Sequence, residues 1–368
     1  MNTTDWSASH LTKWKEHLGS AEQMIPLVGR LYRDNSVTIR VFGRRILNYS
    51  AIEIIQAHQF SLEKIGEELD IGKSLELTRA MVDIDLAPAR VDLGKLCHQF
   101  MQEGGDPEAF LKEQLASINT GKSSILKEPR DVVLYGFGRI GRLLARILIE
   151  RVGSGNKLRL RAIVVRGGKP GDLRKRASLL RRDSVHGAFN GTITVNEEEN
   201  AIIANGICIK VIFANSPSEI DYTDYDINNA LIVDNTGLWR DEESLAQHLD
   251  CPGASKVLLT APGKGSLKNI VYGVNHGDMK PTDPILSAAS CTTNAITPVL
   301  KAVNDRFSIK NGHVETIHSY TNDQNLIDNY HKGDRRGRSA ALNMVLTTTG
   351  AAKAVAKCLP ELKGKLTG

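Results

Sequence analysis

The chain predicts an α/β fold over residues 130–290, the start of an α+β region over 291–368, and a mostly helical region over 1–120. Three observations carry that reading. Short apolar runs rich in β-branched residues recur from Asp131 onward, each bounded by turn residues. A glycine-rich turn joins the first of them to a helical pattern. Upstream, apolar residues recur at helical spacing instead.

In the helical region, Asp106-Pro107-Glu108 is a helix start, with an acid at the cap and proline in the first turn. Phe110, Leu111, Leu115 and Ile118 then line one face, and Gly121 closes the helix. Leu93, Leu96, Cys97, Phe100 and Met101 form a similar stripe. Both stripes are expected to face a core. Val37–Val41 can form a strand. Residues 119–124 read as a linker, and residues 1–118 hold no constellation of catalytic type.

From Asp131 the texture changes. The strand Val132–Tyr135 runs into Gly136-Phe137-Gly138-Arg139-Ile140-Gly141, then into the helical Leu143–Leu148, and a second strand follows at Leu158–Val165. This is a βαβ unit with a G-x-G-x-x-G turn. The first glycine permits the tight turn, the second lets backbone approach a pyrophosphate, and the third lets helix pack on strand. The helix N-terminus then faces the anion. The unit therefore predicts a Rossmann-like dinucleotide-binding domain over 130–290. Further strands are expected at Ile207–Phe213, Ala230–Asp234, Lys256–Thr260 and Ile270–Val274. Thr236-Gly237 and Thr260 lie just past strand ends, the edge where ligands collect in a parallel sheet.

The last region opens on Ser290-Cys291-Thr292-Thr293-Asn294, and His318 follows 27 residues after the cysteine. Small polar residues come first, then Ile296, Val299, Leu300 and Val303 at helical spacing. The cysteine thus sits at the positive end of a helix dipole, and a histidine on a later segment can act as its base. A lone cysteine is more often a packing residue, but a run of small polar neighbours makes a poor core and a good anion pocket.

Composition narrows the partners. Hydrophobic residues make up 41% and charged residues 24%, as in a soluble globular protein. The five cysteines are scattered, and no pair has metal-ligand spacing, so a reducing compartment with free thiols and no metal is expected. No signal-peptide or membrane-spanning run is evident, so a cytoplasmic protein without membrane contact is expected. Residues 1–128 carry 15 basic against 18 acidic side chains, whereas the remainder carries 32 against 24. That basic half suits anionic small molecules, and no aromatic-basic motif supports nucleic-acid binding.

Taken together, the segments Gly136–Arg142, Asp183–Gly187, Thr236-Gly237, Ser287–Pro298, His318–Gln324, Arg335–Arg338 and Thr347–Val355 resemble the phosphorylating glyceraldehyde-3-phosphate dehydrogenase family. The resemblance covers residues from about 130 to the last, and not the first 120. It implies that Cys291 attacks an aldehyde phosphate to give a thiohemiacetal and that His318 takes the thiol proton. Hydride then passes to NAD or NADP, and inorganic phosphate releases an acyl phosphate from the thioester. Ser290, Thr292, Thr349 and Gly350 would line the inorganic-phosphate side, and Thr321, Asp323 and Arg336 the substrate-phosphate side. Gly136, Gly138, Arg139, Ile140, Gly141, Thr236, Gly237 and Thr260 would bind the dinucleotide. The resemblance also implies a homotetramer. Erythrose 4-phosphate is the alternative substrate, and a non-catalytic regulatory homologue the alternative class.

Two departures stand out. The second strand ends Val164-Val165-Arg166-Gly167-Gly168-Lys169, with no acid for ribose hydroxyls and two cations flanking the gap. A relaxed or NADP-leaning cofactor choice is the expectation. The chain also stops at Gly368, where the family leads on into more catalytic sheet. A truncated catalytic domain over 291–368, inactive or poorly soluble as it stands, is expected.

Overall fold

Burial of apolar helix faces organises the first part of the chain. The structure is a computed structural model and describes residues 3–119, 128–153, 158–333 and 335–368. The chain divides into two units, residues 1–131 with 144–160 and residues 132–143 with 161–368.

In the first unit, α1 (Thr3–Asn35) buries Ala21, Met24, Val28 and Leu31, a three-to-four spacing that marks one helix face. A capping box starts α2 (Ala51–Gln59): Ser50 Oγ accepts the Glu53 N–H, and the Glu53 carboxylate accepts the Ser50 N–H. Asp70 caps α3 (Ile71–Val82), and Asp92 caps α4 (Leu93–Glu103). As the sequence predicts, Asp106 Oδ2 accepts the Ala109 N–H at 2.8 Å to start α5 (Pro107–Gln114). Leu93, Cys97, Phe100, Phe110, Leu111 and Leu115 are buried in a single core, while Met101 is exposed. Gly121 and most of the expected linker lie outside the described residues. The expected strand is β1 (Thr38–Val41), which pairs antiparallel with β2 (Arg44–Arg45) and parallel with β3 (Arg90–Asp92).

The second feature is a large mixed sheet. Its strands are β4 (Arg130–Tyr135), β5 (Leu158–Val165), β6 (Ile193–Asn196), β7 (Ala201–Ala204), β8 (Ile207–Phe213), β9 (Ala230–Asp234), β10 (Ala254–Leu259) and β11 (Ile285–Ser287). They lie in the order β11-β10-β9-β4-β5-β8-β7-β6. The run from β11 to β8 is parallel where register is defined, and β6, β7 and β8 are joined antiparallel. Val132 to Tyr135 are all buried, as a central parallel strand requires. The chain leaves β4 toward β5 and returns to β9 on the other side, which puts a topological switch point at the C-terminal ends of β4 and β9. The mixed α/β architecture with a Rossmann-type domain is the one the sequence predicts.

One expected strand is absent. Residues 270–274 form a turn: the Val274 and Asn275 N–H groups both donate to Val271 O, and Gly273 has φ +87°. Just before it, Asn269 bridges to Ser287 of the sheet, and the Ile270 N–H donates to Ser287 O at 2.8 Å. Helix α6 (Arg139–Glu150) follows β4, and α7 (Asp172–Arg181) follows β5. Beyond the sheet come α8 (Cys291–Phe307), β12 (Gly312–His313), α9 (Ala351–Cys358) and β13 (Leu366–Thr367), with β12 and β13 parallel. Ile296 and Leu300 of α8 pack on Val355, Leu359 and Leu362, whereas Val299 and Val303, expected on the same face, are exposed. No helix among the described residues is long and apolar enough to cross a membrane.

His58 of α2 is buried, and its Nδ1 lies 2.8 Å from Ile54 O while Nε2 has no partner. Burial pushes its pKa from 6.5 down to about 4. The folded ring is therefore neutral where the unfolded ring is charged, so stability is complete above pH 6.5 and falls as pH drops toward 4. The loss should reach roughly 3 kcal/mol. Urea unfolding at stepped pH should show this slope, and His58→Leu should flatten it.

Candidate active site

The glycine turn after β4 has the geometry that its sequence predicts. Gly136 sits at φ +92°, and its N–H donates to Val164 O at 2.9 Å, locking the turn to β5. A Cβ on Gly141 would stand 2.4 Å from Gly136 O, so only glycine lets α6 approach this closely. A Cβ on Gly138 would meet no protein atom within 4 Å. That open space faces the ligand side, as close approach of a pyrophosphate to backbone requires. Gly136 and Gly138 line a cavity of about 500 Å³ at the switch point, with Thr236 and Trp239 across it.

Asp234, at the end of β9, is fully buried and shapes the opposite wall. Its Oδ1 accepts the N–H and the hydroxyl of Thr236, each at 2.7 Å. Its Oδ2 lies 3.0 Å from Nε2 of the equally buried His248. Tyr135 and Trp239 pack edge-on against that imidazole, with ring centres 4.7 and 5.7 Å away. Burial pushes the Tyr135 phenol up to about 12. Thr260 Oγ1 donates to Asp234 O at 3.0 Å and lies 3.1 Å from Asn235 Oδ1. Thr236, Gly237 and Thr260 thus meet at adjacent strand ends. Neither the Asp234–His248 pair nor Trp239 carries a signal in the sequence, because each matters only through its place in the folded sheet.

Arg139 and Ile140 open α6. Ile140 is half exposed, while Arg139 donates to Asp183 Oδ1 at 3.3 Å. The N–H groups of His186 and then Val185, with smaller help from the His186 ring and Arg139, hold the Asp183 carboxyl far below the usual carboxylate range.

The cysteine sits where β11 leads out of the same sheet edge. Ala289 takes φ +59°, and Ser290 Oγ accepts the Thr293 N–H at 3.0 Å, so Ser290 is the N-cap and Cys291 the first residue of α8. Asn294 Nδ2 donates to Ala288 O at 2.7 Å and braces the turn. Cys291 is exposed. Its Sγ lies 4.0 Å from Thr292 Oγ1, which lies 3.2 Å from His318 Nε2. The structure therefore brings thiol, hydroxyl and imidazole together in that order, with Thr292 as the link.

The residues that the resemblance assigns to the phosphate sides form two groups. Thr349 Oγ1 accepts the Ala351 N–H at 3.2 Å, and Gly350 caps α9. Gly350 and Thr293 line one small cavity of about 170 Å³, which brings the glycine beside the turn holding Ser290 and Thr292. Thr321, Asp323 and Arg336 form the second group. Arg336 Nη1 pairs with Asp323 Oδ2, and that guanidinium holds the Asp323 carboxyl below the usual carboxylate range. The Asp323 N–H donates to Thr321 Oγ1 at 3.4 Å. Hydrogen bonds tie this trio together, but among the described residues none ties it to Cys291 or His318.

Two pairs of variants test the cofactor wall. Gly138→Ala should leave the unfolding midpoint unmoved and weaken dinucleotide binding, whereas Gly141→Ala should lower both, by about 1–3 kcal/mol in stability. Thermal melts and titration calorimetry separate the two. His248→Ala leaves the Asp234 carboxylate buried without its imidazole and should cost about 3–5 kcal/mol in urea unfolding. His248→Gln, which keeps a donor near Oδ2, should cost clearly less.

Comparison with known proteins places these features. The family model described as the NAD binding domain of glyceraldehyde 3-phosphate dehydrogenase matches residues 130–242, and that of its C-terminal domain matches residues 290–368. The chain is 61% identical over 349 residues to a glyceraldehyde-3-phosphate dehydrogenase-like protein of Pseudomonas aeruginosa, covering 94% of this chain and 76% of that relative. It is 41% identical over 238 residues to a glyceraldehyde-3-phosphate dehydrogenase of Zymomonas mobilis, covering 64% of this chain and 67% of the relative. A chloroplastic glyceraldehyde-3-phosphate dehydrogenase A of Zea mays is 43% identical over 238 residues, covering 64% and 57%. With the glycine turn, Thr236-Gly237 and the cysteine helix in the matched segments, the chain belongs to the glyceraldehyde 3-phosphate dehydrogenase family.

Proposed function

We propose that this protein oxidises glyceraldehyde 3-phosphate to an acyl phosphate through a thioester on Cys291. The observation that carries this reading is the alignment of Cys291 Sγ, Thr292 Oγ1 and His318 Nε2 at the N-terminus of α8, on the sheet edge that also holds Thr236 and Thr260.

The chemistry follows from those positions. Cys291 sulfur adds to the aldehyde carbon, and the positive end of α8 lies behind the sulfur anion that this step requires. His318 receives the thiol proton, with the Thr292 hydroxyl beside the path. A nicotinamide held in the crevice would supply the acceptor for the hydride that must leave the same carbon. Gly136, Gly138, Arg139, Ile140, Gly141, Thr236, Gly237 and Thr260 would hold the dinucleotide, and the open face of Gly138 fits it. An oxygen of inorganic phosphate then attacks the thioester carbon, the C–S bond breaks, and Cys291 sulfur is regenerated. Ser290, Thr292, Thr349 and Gly350 supply hydroxyl and backbone groups for that phosphate. Thr321, Asp323 and Arg336 serve the substrate phosphate, which must compete with Asp323 for the Arg336 guanidinium. The cofactor is NAD or NADP, and Arg166 in place of an acid at the end of β5 favours NADP. A homotetramer acting in the cytoplasm is the setting proposed for this activity.

Thiol labelling tests the nucleophile. Among the described residues Cys97, Cys251 and Cys358 are buried, and burial raises all three thiols, to about 11 for Cys97 and Cys251. Cys208 and Cys291 are both exposed, so access does not separate them. Iodoacetamide near neutral pH should modify Cys291 well before Cys208, and His318→Asn should narrow the gap. In steady-state assays with inorganic phosphate, Cys291→Ser should cost on the order of a thousandfold or more in kcat/KM. Equal labelling of the two exposed thiols, together with an active serine variant, would overturn the assignment. Erythrose 4-phosphate assayed in parallel reads out the alternative substrate.

A further inference from the structure

Two guanidinium groups line the large cavity beside the end of β5. Arg166, the residue after β5, and Arg176, one turn into α7, both line it. Lys169, the other cation the sequence points to, does not. Arg176 is mostly buried, and its Nε donates to Asp172 Oδ2 at 2.9 Å while Nη2 donates to Arg166 O at 2.8 Å. Those two bonds fix the guanidinium plane and leave Nη1 uncommitted. Gly167 makes the fit possible: it takes φ +132°, and a Cβ there would stand 3.0 Å from Asp172 Oδ2 and 3.4 Å from Arg176 Nη2. Arg166 has no ion-pair partner among the described residues.

Asp172 is the first acid after β5, the stretch in which folds of this kind carry an acid for the ribose hydroxyls. Here it is spent on Arg176. The local sum of charge is positive, and the uncommitted donors belong to guanidinium groups, whose planar forks match phosphate oxygens.

We infer that Arg176 determines cofactor choice, forming with Arg166 a fork for a phosphate monoester on the 2′ position of the adenosine ribose. Asp172 is its positioning residue. The inference rests on the dinucleotide reading of the cavity and sharpens it: the preferred cofactor is the 2′-phosphorylated one.

Calorimetry with nucleotide fragments tests this without turnover. The probes are 5′-AMP, adenosine 2′,5′-bisphosphate and adenosine 3′,5′-bisphosphate, titrated into the whole chain. The 2′,5′-bisphosphate should bind at least about tenfold more tightly than 5′-AMP, and more tightly than its 3′,5′ isomer. Arg176→Ala and Arg166→Ala should each remove most of that preference while changing 5′-AMP affinity by less than about threefold. Arg176→Lys, which keeps the charge but not the planar fork, should recover only part of it and covers the case in which the alanine variant fails to fold. Asp172→Asn should lower the preference and leave 5′-AMP binding intact. Equal affinity for 5′-AMP and the 2′,5′-bisphosphate overturns the fork and leaves the dinucleotide reading standing. Equal affinity for the two bisphosphates reduces the effect to unspecific charge and also overturns it. A loss of 5′-AMP affinity in Asp172→Asn would make Asp172 a ribose acceptor and overturn the positioning role. If no nucleotide binds at all, the dinucleotide reading falls and the fork with it.

Discussion

The candidate site hangs on one buried carboxylate. Asp234 ends a central strand with no access to solvent, so each of its oxygens must be matched inside the protein. One oxygen folds Thr236 back over the strand end, and the other holds His248. Its backbone oxygen accepts from Thr260 on the neighbouring strand. A single residue therefore sets the turn, the aromatic wall of Tyr135 and Trp239, and the alignment of two adjacent strand ends. The glycine turn after β4 completes the crevice from the other side through the contact between Gly141 and Gly136.

Two buried histidines meet different partners. His248 Nε2 lies 3.0 Å from the Asp234 carboxylate. His58 faces only the Ile54 carbonyl, so burial keeps its ring neutral. Burial of His58 makes the helical unit sensitive to acid.

Local features were legible in the sequence. The G-x-G-x-x-G turn, the Asp106 cap and the helix starting at Cys291 each depend on a few consecutive residues whose chemistry allows one backbone path. Features set by tertiary placement were not. Residues 270–274 have strand composition, but Gly273 at positive φ and the two bonds to Val271 O make a turn. Val299 and Val303 fit a helical stripe, yet the described neighbours of α8 pack on Ile296 and Leu300. Arg176 and His248 carry no sequence signal because their partners, Asp172 and Asp234, matter only once the sheet has put them beside the cavity. In the sequence Arg166 and Lys169 flank the gap after β5, but only the first of them lines the cavity. Helix geometry selected Arg176 instead, four residues along from Asp172.

The arginines around the crevice are unequally paired. Arg139, beside the glycine turn, already has the Asp183 carboxylate as a counterion, whereas Arg166 has none among the described residues. The field at the crevice is therefore uneven, and an approaching anion is drawn more strongly toward Arg166 than toward Arg139.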